Sequence, residues 1–304
     1  MSEILLETGT GEVEIIEFIV NNQCYAINVL KVKGIIQLDT VVPLPKAAPE
    51  IMGMTNVRGN MNMVIDLQKV LYNISTDKYT GGLGLLCEFN GTIVVFLVDE
   101  VKGILKVTWA DIEQSNKMKQ DVLMIGSILK DGRIIILLDF ESITMAADLG
   151  EDYQKQAKLS DIGKTKHTDS TIVLVEDSKA IREMLKLSLI EAGYSKVITF
   201  NNGKDAYDYM FELKDKYGAE FIEEVSILIT DIEMPVLDGY TLTRRIKEDE
   251  ILKNLPVIIF SSLISEELKH KGETVGADVQ IGKPSIKELV EIVSKLITES
   301  KARQ

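Results

Sequence analysis

Glu176, Asp177, Asp231, Ser261 and Lys283 are the residues whose types and spacing equip this chain for chemistry, and each closes an apolar run. Ile172-Val173-Leu174-Val175 leads into Glu176-Asp177, Val225 to Thr230 into Asp231, and Val257 to Phe260 into Ser261. Val279-Gln280-Ile281 leads towards Lys283-Pro284. Helix-compatible segments separate the runs, so they read as parallel strands of an alternating β/α domain. The carboxyl ends of such strands share one edge, where ligands bind. Three carboxylates gathered there at ~4 Å repel one another by a few kcal/mol per pair at an effective dielectric near 20. Left alone, one of them protonates. A divalent cation removes the conflict, and an all-oxygen donor set selects Mg²⁺ over softer metals. With the cation bound, Asp231 is equipped to attack a phosphoryl donor while Lys283 stabilises the transferring charge. Ser261 then donates a hydrogen bond to a phosphoryl oxygen, worth ~1.5–3 kcal/mol. A near-complete two-state switch needs ~5.5 kcal/mol, so Lys283 must contribute as well.

Amphipathic helices must hold those strand ends in place. Ile181, Met184, Leu185, Ser188 and Leu189 form one apolar face, and Ala206, Tyr209, Met210 and Leu213 another. Leu289, Ile292, Val293 and Ile297 form the stripe of a last helix, entered through Ser285 as N-cap with Glu288 at the capping-box position. Residues 170–304 are therefore expected to form a five-stranded, doubly wound α/β sheet.

Residues 1–150 follow a different pattern, with short β-type runs joined by turn signals. Asn90-Gly91 and Asp131-Gly132 are strong signals for two-residue hairpin loops, and Asn21-Asn22 is a weaker one. Pro49-Glu50-Ile51-Met52 can start a short helix. A faint duplication runs through this half: Val32-Lys33-Gly34-Ile35 recurs as Val101-Lys102-Gly103-Ile104. Gly59 precedes Asp66-Leu67 by the same spacing with which Gly132 precedes Asp139-Phe140. The expectation is an all-β domain of two similar small barrels packed together. Residues 151–169 are polar and aperiodic, as a linker is.

The chain has 304 residues, a prior for two domains, with 45% hydrophobic and 27% charged residues, ordinary for a globular protein. Its net charge of −13 argues against nucleic acid and against an anionic membrane surface as partners. No apolar run is long enough for a bilayer, and the amino terminus lacks the features of a signal peptide. Cys24 and Cys87 lie in strand-like runs and read as buried thiols in a cytoplasmic protein; the two histidines lack ligand spacing for zinc.

Residues 171 to about 298 resemble a response-regulator receiver domain, through VLVEDS, ITDIEMPVLDG, IIFSS and GADVQIGKP. The resemblance implies that Asp231 is the phosphorylated residue and that Asp177 and Asp231 ligate Mg²⁺. It implies further that Glu176 acts on the metal through water and that the backbone carbonyl of Glu233 completes the site. Receivers usually carry Tyr or Phe three residues before the lysine; here that residue is Gln280. Residues about 12 to 148 resemble a CheW-like coupling domain, through EFIVNNQCYAINVLKVKGII, PEIMGMTNVRGNMNMVIDL and IGSILKDGRIIILLDF. That likeness implies two SH3-like β-barrels, no catalysis, and binding to the chemotaxis histidine kinase and to the cytoplasmic tip of a chemoreceptor. Arg58 is the residue it nominates for the receptor contact. The two domains in this order are similar to the CheV family. An adaptor at receptor arrays on the inner membrane face, regulated through Asp231, is the function implied. The rivals are a constitutive scaffold that never sees phosphate and an aspartate-nucleophile phosphatase.

Overall fold

The computed structural model describes residues 12–76, 81–89, 92–114, 123–144, 147, 169–262, 266–283 and 285–302. Contacts divide the chain into two compact units, one of them Glu12–Gly150 and the other containing Glu151–Gln304. Asn90-Gly91, Pro284 and all of the expected linker except Asp169 lie outside the described residues.

In the first unit the elements run β1 (Glu12–Val20), β2 (Gln23–Asn28), β3 (Val32–Leu38), β4 (Ile51–Val57), β5 (Asn60–Asp66) and α1 (Leu67–Tyr72). They continue with β6 (Gly82–Phe89), β7 (Thr92–Val98), β8 (Glu100–Thr108), β9 (Ile112–Gln114), β10 (Met124–Lys130), β11 (Arg133–Leu138) and α2 (Phe140–Thr144). Two sheets result among the described residues, in the orders β8-β1-β2-β11-β10-β9 and β3-β6-β7-β5-β4. The duplication read from the sequence is physical. Both Val-Lys-Gly-Ile segments lie on the strand that begins its sheet's order, and each passes through a register shift against its neighbour. Both hairpins β4–β5 and β10–β11 are followed by a short helix whose preceding aspartate accepts a backbone N–H, Lys69 to Asp66 and Ser142 to Asp139. The halves interlock: β3 leaves the strands that precede it and pairs with β6, while β8 returns to pair with β1. One core cluster accordingly draws on both sheets, with Phe18, Tyr25, Phe89, Phe96 and Phe140 in contact.

Positive φ at Asn21 and Asn22 and at Asp131 and Gly132 bears out two of the hairpin loops. The short helix at Pro49 to Met52 is not formed. Ile51 and Met52 instead open β4, where Ile51 pairs with Ile65 and packs on the core, a burial that outweighs the local preference after proline. Cys87 is buried, whereas Cys24 is only partly so; both are free thiols.

The second unit contains β12 (Thr171–Val175), α3 (Lys179–Glu191), β13 (Lys196–Phe200), α4 (Gly203–Tyr217), α5 (Phe221–Glu224) and β14 (Ile227–Thr230). After these come α6 (Gly239–Glu248), β15 (Val257–Ser261), α7 (Glu266–Thr274), β16 (Val279–Gly282) and α8 (Ile286–Ala302). The sheet is parallel throughout, in the order β13-β12-β14-β15-β16, as the α/β pattern predicts. Its central strands β12, β14 and β15 are buried along their whole length, which is why they read as continuous rather than alternating apolar runs. Ser285 sits directly before α8, and its carbonyl accepts the N–H of Leu289.

Candidate functional site

Neighbouring strands β12, β14, β15 and β16 end together, which brings the five residues singled out above to one edge. Asp231 follows β14, and its N–H donates to the Val175 carbonyl at the end of β12. Ser261 closes β15, buried, and its carbonyl accepts the N–H of Lys283 at 3.0 Å. Glu176, Asp177 and Asp231 present carboxylate oxygens that all lie within 4.8 Å of one another. Lys283 reaches Glu176 Oε2 at 2.7 Å and Asp231 Oδ1 at 3.5 Å, with these three side chains at most 3% exposed. At such separations each like-charged pair repels by roughly 3–4 kcal/mol at an effective dielectric near 20. One ammonium leaves the three carboxylates net negative, so the donor set fits a small divalent cation.

Local sequence explains why the turns hold. Ser178 caps α3, accepting from the Ile181 N–H, and its own N–H donates to Asp177 Oδ1 at 2.8 Å and to Glu176 Oε1 at 3.3 Å. The positive end of a 13-residue helix therefore faces the acids. The loop after Asp231 is closed by Asp238, the N-cap of α6, and by Gly239, where a Cβ would stand 1.9 Å from the Asp231 carbonyl oxygen. No other residue type fits that position. Val236 in the same loop holds φ at +67°, a left-handed conformation that β-branched residues avoid. Glu233 lies in this loop, buried, two residues beyond Asp231.

Gln280, at the position where receivers usually carry an aromatic, lies on β16 against α7. A Cβ on Gly272 of α7 would come within 2.2 Å of its Oε1, so the glycine makes the notch that receives the amide. Tyr240 on α6 is buried, and its hydroxyl donates to the Leu268 carbonyl of α7 at 2.9 Å. Burial pushes the Tyr240 hydroxyl up to about 12, an effect that the nearby Gln280 amide opposes.

Two contributors escaped the sequence pattern. Ser178 was legible only as a residue after two acids, and Arg182 as a charge on a helix. Arg182 Nη1 donates to the Glu176 carbonyl at 2.6 Å and the Asp177 carbonyl at 3.1 Å. The signal available was a basic residue one turn past a serine cap, because helical side chains lean towards the amino terminus.

Arg58 is in the other unit. It is exposed at the tip of the β4–β5 hairpin with φ +52°, followed by Gly59 at +91°. The Gly59 N–H donates to Asn56 Oδ1 at 2.8 Å, so Asn56 rather than Arg58 braces the turn and leaves the guanidinium outside.

The CheW-like domain family matches residues 14–147, and the response regulator receiver domain family matches residues 172–294. Chemotaxis protein CheV3 of Helicobacter pylori is 28% identical over 282 residues, covering 91% of this chain and 89% of the relative. Chemotaxis protein CheV2 of the same organism is 24% identical over 295 residues, covering 91% and 90%. Chemotaxis protein CheW of Thermotoga maritima is 31% identical over 139 residues, which is 45% of this chain and 91% of that protein. A CheW-like domain followed by a receiver domain, matched nearly end to end by CheV proteins, places the chain in the CheV family of chemotaxis coupling proteins.

Proposed function

We propose that the chain couples chemoreceptors to the chemotaxis histidine kinase in the cytoplasm, and that phosphorylation of Asp231 adjusts the coupling. The observation that carries this reading is the buried Asp231 carboxylate, with Lys283 at 3.5 Å and two further acids beside it. Residues 1–150 form the coupling domain, 151–169 the linker and 170–304 the receiver. The kinase regulatory domain and the receptor tip bind the coupling domain, and exposed Arg58 contributes to the receptor contact.

Asp177 and Asp231, with the Glu233 backbone carbonyl and with Glu176 acting through water, would hold Mg²⁺, which when bound offsets the charge gathered on the acids and the phosphoryl oxygens. An Asp231 oxygen attacks phosphorus as the P–N bond of a kinase phosphohistidine, or the P–O bond of a small phosphodonor, breaks. The leaving group departs with the bonding electron pair, the imidazole taking a proton from solvent and a carboxylate leaving as the anion. Lys283 transfers its attraction from the Asp231 carboxylate to the new phosphoryl oxygens, and Ser261 donates a hydrogen bond to one of them. The protein is a phosphoryl acceptor rather than an enzyme with a turnover substrate.

Incubation with acetyl phosphate and Mg²⁺ tests this directly, comparing the wild type with Asp231→Asn by mass and by Phos-tag migration. A gain of one phosphoryl group on the wild type alone is the expected result. A wild type that stays unmodified, with its receiver folded, leaves a constitutive scaffold. Steady release of phosphate from phosphate monoesters points to the phosphatase instead.

A further inference from the structure

We infer that Arg182 is a positioning residue for the acidic pocket, fixing the turn after β12 so that Glu176 and Asp177 face the cation and the incoming phosphoryl group. This deepens the proposed phosphoryl-acceptor reading and rests on it. One guanidinium nitrogen spans two successive carbonyls, at 2.6 Å from Glu176 and 3.1 Å from Asp177. The turn is thus held on both of its sides. Its carboxylates are held by the Ser178 N–H and, for Glu176, by Lys283; its carbonyls are held by Arg182.

The choice of acceptor matters. By bonding to carbonyls, Arg182 brings a positive charge to a crowded anionic pocket without competing with a cation for carboxylate oxygens. The bonds are charge-assisted and come from a rigid planar group, so they orient the turn as well as neutralise it. Its place one turn into α3 is what lets the side chain lean back to the turn. Groups that orient metal ligands in this way typically change metal affinity 10–100-fold when removed.

Mg²⁺ binding to the full chain is measured by titration calorimetry for the wild type, Arg182→Ala, Arg182→Gln and Arg182→Lys. We expect Mg²⁺ to bind about tenfold more weakly to R182A. R182K recovers only part of the loss, because a strongly hydrated ammonium on a flexible stem is less firmly oriented than the planar guanidinium. The rate of modification by acetyl phosphate then shifts its Mg²⁺ dependence by the same factor as the calorimetric constant. A purely structural role predicts the opposite pattern: a lower unfolding midpoint without Mg²⁺ and an unchanged dissociation constant. An unchanged constant in R182A, or in R182Q and R182K should R182A fail to fold, overturns the inference while the phosphoacceptor reading stands. A wild type that neither binds Mg²⁺ nor takes up phosphate overturns both.

Discussion

Replacing Lys283 with methionine removes the cation from a pocket that otherwise holds only acids, while keeping a side chain of similar length. Glu176 at 2.7 Å and Asp231 at 3.5 Å then face each other with no ammonium between them, at 1% and 3% side-chain exposure. Removing one partner of a buried ion pair costs about 3–5 kcal/mol, because the remaining charge is left uncompensated. The receiver should therefore lose about that much stability at pH 7 in the absence of divalent cations. Mg²⁺ at a hundredfold its dissociation constant should return about 2.7 kcal/mol by mass action. Urea unfolding separates the two units without cutting the chain. Among the described residues, every helix longer than six residues is in the second unit, so ellipticity at 222 nm mainly reports the receiver. Trp109, the only tryptophan, lies in the first unit and serves as the internal control. A receiver stability that stays within about 0.5 kcal/mol of wild type would refute this charge balance, since it means that the ammonium does not compensate these carboxylates in solution.

Asp249 supplies a pH-dependent prediction. Burial pushes its carboxyl up, but hydrogen bonds from Lys214, at 2.8 Å, and from the Leu252 and Ile251 N–H groups outweigh this and hold it below the ordinary value of 3.8. A folded-state pKa below the unfolded one stabilises above the unfolded pKa and is lost as pH falls through the folded value. Asp249→Asn should lower receiver stability by about 1 kcal/mol at pH 7, and the gap should narrow as pH falls below about 4. A gap that persists unchanged to pH 2.5 contradicts that assignment. Val236 supplies another: relieving its φ of +67° with Val236→Asn should raise receiver stability by about 1 kcal/mol. A lower midpoint in urea would show that the valine side chain contributes more by packing than its backbone loses.

Some of this molecule was legible because local pattern fixes it. The runs before Glu176, Asp231 and Ser261 are mostly apolar without alternation since β12, β14 and β15 are buried on both faces, and that burial identifies a parallel sheet. Hairpins at Asn21-Asn22 and Asp131-Gly132 announce themselves through residues that tolerate positive φ. Ile51 and Met52 misled because a proline two residues earlier suggests a helix start, while the pairing of Ile51 with Ile65 decides the conformation.

Spacing and composition, which are properties of the chain alone, establish that five reactive side chains close parallel strands and hence meet at one edge. They also point to a faint duplication in the first half. Who pairs with whom emerges only in three dimensions. Lys283 lies closer to Glu176 than to Asp231, Arg182 turns back onto two carbonyls, and Gly272 opens the notch for Gln280. The duplicated halves interlock, with β3 on β6 and β8 on β1. One physical reason is common to all of these. Periodicity records which face of an element is buried, whereas the partner on that face is set by contacts between residues far apart in the chain, which no local pattern encodes.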